Sequence, residues 1–267
     1  MSLNRLCDHH HILYLRLHDF NTHIADSRLT LYTGHMKSVS RSRVMEIVAT
    51  GGDLTGADLS GTNLSELDLS AMRLADSDLQ RSDLSKTALI RADLSGCELA
   101  SANLSVANLT GAAMKGCNLS GADLSFSILI GANLNKAVLS GSNLSLSNLS
   151  SAVIRNAIVT GANLKQAEAS GSDFSGSVMG NINAFGANLA GSNLSRAALN
   201  DAVLTKADLT AADLSGADLR NTELINANFT AADLRDADLR GATFTGANFA
   251  RAKINGVKLD DGVRLIA

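Results

Sequence analysis

The sequence predicts an all-β solenoid, a stack of coils made of short extended sides and bends, and three observations carry that prediction. From Leu54 to Leu259 every fifth residue is apolar, 42 consecutive positions of which 31 are Leu. A period of five matches neither the 3.6 of a helix nor the two of a strand, so each unit must be a short extended side followed by a bend. The residues in between are rich in Asp, Asn, Ser, Thr and Gly. These are turn formers and poor helix formers, which excludes a helical solenoid.

With the recurring apolar residue called i, position i−2 is small, as at Ala57, Ala92, Ala102, Ser142 and Ala217. Asp or Asn prevails at i−1, Ser and Thr are common at i+1, and Gly is frequent at i+2. The pattern places i and i−2 inside and the other three in water, with successive coils bonded backbone to backbone about 4.8 Å apart. Leu139→Asp is then expected to put an unpartnered charge in a closed interior. Asn143→Lys, at a water-facing i−1, is expected to cost little.

The uninterrupted tandem A-(D/N)-L-x-x, as in Ala57-Asp58-Leu59-Ser60-Gly61 and Ala162-Asn163-Leu164, resembles the pentapeptide-repeat family over about four fifths of the chain. The resemblance implies a right-handed quadrilateral β-helix in which four units make one coil of 20 residues. Residues 20 apart then lie above one another, and about ten coils form a rod roughly 50 Å long. Unlike many quinolone-resistance members of that family, this chain has no loop insertion in the tract.

Taken in order, residues 1–35 follow no period and hold all six His and both Tyr. They are expected to be an irregular, poorly ordered extension, with Met36-Lys37-Ser38 as the true start. The other reading is metal binding by His9, His10, His11, His18 and His23, since imidazole clusters hold transition metals. Residues 36–50 are expected to form an N-terminal cap, with a short amphipathic helix from Ser38 to Ala49 stopped at Gly51-Gly52. Such a cap covers the open edge and core of the first coil. Residues 51–267 form the repeat domain, where Ala169, Phe174, Met179 and Ala184 make one coil of two large and two small core residues. Phe229 and Phe249, 20 apart, are expected to stack, with Phe244 beside them. Cys97 and Cys117, also 20 apart, read as small buried residues rather than a redox pair.

Composition narrows the function. The tract contains no His, so no Ser-His or Cys-His pairing is available to it, and a convex repeat surface offers no deep site. The expectation is no enzyme and no cofactor. No apolar run nears the roughly 20 residues that cross a bilayer, and no secretory signal is read, so a cytoplasmic protein is expected. Residues 51–267 carry 22 acids and 17 bases. That net charge of −5 falls far short of the near 30 charges of duplex DNA over the same length. A gyrase-interacting DNA mimic of the quinolone-resistance type is therefore the alternative rather than the main reading. Direct nucleic-acid binding lacks both a basic stripe and stacking aromatics.

What remains is where outward positions break the pattern. Stacking by 20 aligns Val138, Ile158, Val178 and Ala198 at i−1, with Val153 on the adjoining face. A second line joins Val106, Phe126 and Leu146 at i+2, with Ile128 and Ile130 around the corner. Contiguous exposed apolar residues mark interaction surfaces, so the sequence reads as a rigid scaffold for a protein partner or a homodimer.

Overall fold

Each five-residue unit assigns its backbone N–H groups to fixed partners, and those assignments generate the coil. The structure, a computed structural model, describes residues 38–265. In the unit around Leu59, the Leu59 N–H donates to Asp78 O at 2.7 Å and the Gly61 N–H to Gln80 O at 2.8 Å, both on the next coil. Asp78 returns its own N–H to Ala57 O at 2.9 Å. The Thr62 N–H closes the turn on Leu59 O at 3.1 Å, and the Ser60 N–H is taken by Asp58 Oδ1 at 3.1 Å. Parallel bridges repeat this arrangement from Asp58↔Asp78 to Asp238↔Lys258, always joining residues 20 apart. Four bridged segments per coil, five residues apart, give four sides. Side 1 carries Asp58 and every twentieth residue after it, side 2 Asn63, side 3 Asp68 and side 4 Arg73.

The bend follows from the same bonds. Position i+2 has positive φ from Gly51 to Gly256 without exception, including 24 residues that are not Gly. An i to i+3 hydrogen bond with a left-handed third residue is the signature of a type II turn, for which Gly carries the least strain. Tertiary bonding imposes the conformation even on Val106, Phe126 and Leu146, at φ of 62°, 58° and 59°.

The inward assignment of i and i−2 is observed. Leu at i is buried from Leu54 to Leu239, and small residues at i−2 fill the space beside it. Several buried hydroxyls at i−2 donate to the carbonyl of the preceding i, as Ser82 to Leu79 O at 2.7 Å and Ser142 to Leu139 O at 2.8 Å, while Thr87 and Ser177 reach Leu64 O and Ile154 O on the previous coil. Ala169, Phe174, Met179 and Ala184 are all buried, so one coil conserves volume by pairing large with small. The Phe229 and Phe249 rings stack at 4.9 Å and 7°, and Phe244 meets Phe249 edge-on at 5.9 Å.

Position i−1 corrects the reading that it merely faces water. Its carboxylate or amide accepts the i+1 N–H in unit after unit, as Asp58 for Ser60, Asn103 for Ser105 and Asn163 for Lys165. Asp and Asn recur there because their side chains are short enough to satisfy the one backbone donor the coil leaves over. Asn143 takes the Ser145 N–H at 3.2 Å, donates to Asp123 at 3.1 Å and accepts from Asn163 at 3.0 Å. Asn143→Lys therefore removes a turn cap and two ladder bonds.

Among the described residues there is one helix, α1, which spans Arg41–Ala49 rather than starting at Ser38. The Val39 N–H is drawn to Asp58 O at 2.8 Å, which holds the chain extended until Ser40 caps the helix by accepting the Arg43 N–H at 3.4 Å. Val44 and Ile47 are buried against the first coil, and Arg41 reaches Asn63 O and Oδ1 at 3.1 Å each. The expectations for residues 1–35 and for His9, His10, His11, His18 and His23 lie outside the described residues.

Candidate interaction faces

Bridges Val138↔Ile158, Ile158↔Val178 and Val178↔Ala198 place the first apolar line in one unbroken column on side 1. Ile158 and Val178 are 45% and 48% exposed, whereas Val138 and Ala198 are half-buried at the ends of the column. Val153 is half-buried on side 4, between Asn133 and Asp173. It therefore adds little to the stripe.

The column has a local cost that its neighbours avoid. On the same side Asp58, Asp78, Asn118, Asp218 and Asp238 each accept the N–H two residues on, at 3.0 to 3.3 Å. Val138, Ile158, Val178 and Ala198 cannot. Among the described residues, the N–H groups of Ser140, Thr160, Gly180 and Asn200 have no protein acceptor. Val203 on side 2 has the same effect, leaving the Thr205 hydroxyl without a partner.

The second line lies on the ridge between sides 2 and 3. Val106, Phe126 and Leu146 occupy consecutive turns, with Phe126 57% exposed and Ile128 and Ile130 exposed beside it. Sides 1 and 3 are opposite in a four-sided coil, so the rod carries two separate apolar patches. A β-branched or aromatic residue in the left-handed region is strained, so this ridge too departs from what the turn prefers. The sequence reading missed Ile90, two coils from Ile130 in the same column with Thr110 between, and Ile225. It also missed Phe185, flanked by the ammonium groups of Lys165 at 5.8 Å and Lys206 at 5.6 Å. Stacking by 20 was sufficient to find the Lys165 contact, because Phe185 lies one coil on.

Charges are paired locally. Arg220, Arg235 and Arg240 each fold back onto the Asp two residues before them, with closest N to O distances of 2.6 to 2.7 Å. The Arg235 guanidinium holds the Asp233 carboxyl well below the usual carboxylate range, and Arg240 brings Asp238 down to about 2. Burial pushes the Cys97 thiol up to about 11 and the Cys117 thiol up further, which disfavours the reactive thiolate in both. A shallow cleft between α1 and the first coils is lined by Val48, Gly51, Gly52 and residues 68–73, and the ionisable groups in it are Asp68 and Arg73. Among the described residues no group of His, Cys, Asp and Glu is arranged to hold a metal ion. No helix among them is long and apolar enough to cross a membrane.

Comparison with known proteins adds sequence and structural likeness. A family model described as pentapeptide repeats matches in eight copies, over residues 53–89, 88–125, 117–155, 147–183, 185–221 and 222–261. No curated protein matches the chain. Among solved structures, HetL, a pentapeptide repeat protein involved in heterocyst differentiation regulation in the cyanobacterium Nostoc, is 30% identical. The match covers 86% of this chain and all of HetL, with a TM-score of 0.43. QnrB1, a plasmid-mediated fluoroquinolone resistance protein, is 19% identical over 74% of this chain and 94% of its own, with a TM-score of 0.41.

Proposed function

This chain belongs to the pentapeptide-repeat family, and from that premise we propose that it is a non-enzymatic, rigid scaffold that binds protein through its exposed apolar stripes. The domain spans residues 51–267 as a right-handed quadrilateral β-helix of about ten coils, and residues 36–50 cap its first coil. The observation that supports the binding role most is the side 1 column, where four successive coils replace a turn-capping side chain by an aliphatic one. The interior does not require this, because i−1 points away from it. A local rule broken four times in a row, with no gain inside the fold, is what a functional surface looks like.

The test is recovery of partners from lysate on the wild-type rod, on Val138→Asn/Ile158→Asn/Val178→Asn, and on a control triple variant at Asn103, Asp123 and Asn143. Loss of partners in the apolar variant alone supports the reading. Equal recovery from the apolar variant and wild type overturns it for side 1 and moves attention to the ridge around Phe126. A gyrase supercoiling assay with and without a fluoroquinolone separates this reading from DNA mimicry, for which the expected result here is no effect.

A further inference from the structure

The dipeptide Asn-Gly occurs once in the chain, at Asn255-Gly256, and it falls in a turn of the last coil. We propose that Asn255 is a site of spontaneous covalent modification, losing its side-chain amide to attack by the backbone nitrogen of Gly256. Asn255 is exposed, and Gly256 has no side chain to crowd the approach.

The last coil permits a reaction that the rest of the tract resists. The interior turn at Gly121 shows how such a turn is ordinarily tied. Asn118 caps the Ser120 N–H at 3.2 Å, and the Ala122 N–H closes on Leu119 O at 3.0 Å. The Ser101 N–H reaches Ser120 O at 2.9 Å, and the Gly121 N–H donates to Ser140 O at 2.9 Å on the next coil. At Gly256 only the second and third of these have counterparts, from the Val257 N–H to Ile254 O at 3.3 Å and from the Asp236 N–H to Asn255 O at 3.0 Å. Lys253 stands at i−1, donates to Asp233, and has no acceptor with which to cap the Asn255 N–H. No further coil is stacked beyond to take the Gly256 N–H. Among the described residues both donors are therefore without a protein partner.

The chemistry needs that freedom. A type II turn holds its second residue at ψ of about 120°, which aims the next nitrogen away from that residue's side chain. Ring closure requires the peptide plane to rotate, and at Gly256 the rotation breaks two bonds fewer than at Gly121. The Gly256 nitrogen then gives its proton to base in the solvent, and its electron pair forms a bond to Cγ of Asn255. The Cγ–Nδ2 bond breaks, a proton returns to the departing nitrogen, and ammonia leaves behind a five-membered imide. Water opens that imide. Cleavage at Cγ gives aspartate, and cleavage at the former main-chain carbonyl gives isoaspartate, with the backbone rerouted through the side chain. The balance is a water consumed and an ammonia released, with no oxidant or reductant.

The products act on one end of the rod. Either places a new carboxylate near Asp236, whose own carboxylate lies against Gly256, and like charges at short range repel. Isoaspartate also lengthens the main chain by a carbon inside a turn whose period is fixed by stacking. The bond from Asp236 to position 255 is then lost, and the half-buried Ile254 and Val257 lose their cover.

The test follows the amide by mass spectrometry of digests, after incubation of the full chain at neutral and mildly alkaline pH, folded and in denaturant. Three chains are compared: wild type, Asn255→Ser, and Ser120→Asn, which sets an Asn before Gly121 at an i+1 position where Asn135 already stands. Folded wild type is expected to convert at 255, faster as pH rises, to both aspartate and isoaspartate, and Asn255→Ser to show no conversion there. In folded Ser120→Asn protein, position 120 is expected to convert at least about tenfold more slowly than 255, the factor that two further hydrogen bonds imply. In denaturant the two positions should convert alike. An amide at 255 that persists in folded wild type while it is lost in denaturant overturns the proposal, whatever the variants do. Equal rates at 120 and 255 in the folded protein would overturn the part assigned to the missing bonds.

Discussion

Sides 1 and 2 pass through the same coils with the same backbone bonds and present opposite chemistry. On side 2, Asn103 donates to Asp83 at 3.0 Å, Asn143 to Asp123 at 3.1 Å and Asn163 to Asn143 at 3.0 Å, while their Oδ1 atoms accept the N–H two residues on. On side 1, Val138, Ile158 and Val178 make none of these bonds, yet they bridge to their neighbours in the same way. The inward positions thus hold the fold, and the outward i−1 position adjusts it by small amounts. That division leaves i−1 free for another purpose wherever about 1 kcal/mol per unit can be forgone.

The strongest way to break the comparison is to strike what both sides share. Leu139→Asp buries a charge with no partner in the interior directly behind Val138 and Ser140, at a cost of several kcal/mol out of a total stability of about 5 to 15 kcal/mol. Expression should give insoluble or unfolded protein. A soluble variant with an unchanged melting curve would contradict the inward assignment.

Next in size is removal of the chain through Ala49. This takes away the Val39 bond to Asp58 on side 1, the Arg41 bonds to Asn63 on side 2 and the cover that Val44 and Ile47 give the first coil. Aggregation or end-to-end association is expected, while removal of residues 1–35 alone should leave a folded protein. Equal solubility of the two truncations would show that α1 is no cap.

The comparison is sharpened by exchanging chemistry between the sides. Asn143→Val removes a turn cap and two ladder bonds and should cost about 1 to 2 kcal/mol, lowering the melting temperature by a few degrees. Val178→Asn supplies a cap to the Gly180 N–H and should be neutral or stabilising by up to about 1 kcal/mol. Opposite signs in thermal melts support the division of roles. The same sign in both would refute it.

The smallest effect lies at the charged end of side 1. Arg240 draws the Asp238 carboxyl down to about 2, below its unfolded value of about 4. The folded state therefore binds this proton less readily, so the contribution is complete above pH of about 4 and is lost as pH falls through about 2. Because Arg240 is half exposed, solvent screens the pair and its effect on stability is small. Arg240→Gln should flatten melting temperature against pH in that window and leave neutral pH nearly unchanged.

Much of this was legible beforehand because a coil repeats. A strict period fixes which positions share a column, and so the stacks of Phe229 on Phe249 and of Val138, Ile158 and Val178 follow from numbers alone. The role of Asp and Asn at i−1 was not legible, because it depends on which backbone N–H the coil leaves without a carbonyl. Nor was the start of α1, since Val39 is held extended by Asp58, a partner 19 residues away in sequence. Phe185 escaped notice for a similar reason: it stands at i+1, and its second cation, Lys206, comes from a position not in its own column.

By itself the sequence determined the solenoid, its inward and outward positions and the lines of apolar residues, because periodicity is a local property that any stacking of equal units must respect. The tertiary structure alone decided which N–H groups each turn leaves to a side chain, and hence that an aliphatic residue at i−1 gives up a bond. It also decided how far each apolar residue stands out, leaving Ile158 and Val178 exposed while Val138 and Val153 are half-buried. Exposure and hydrogen-bond completion are set by neighbours 20 residues away, and those distances exist only once the coils are stacked.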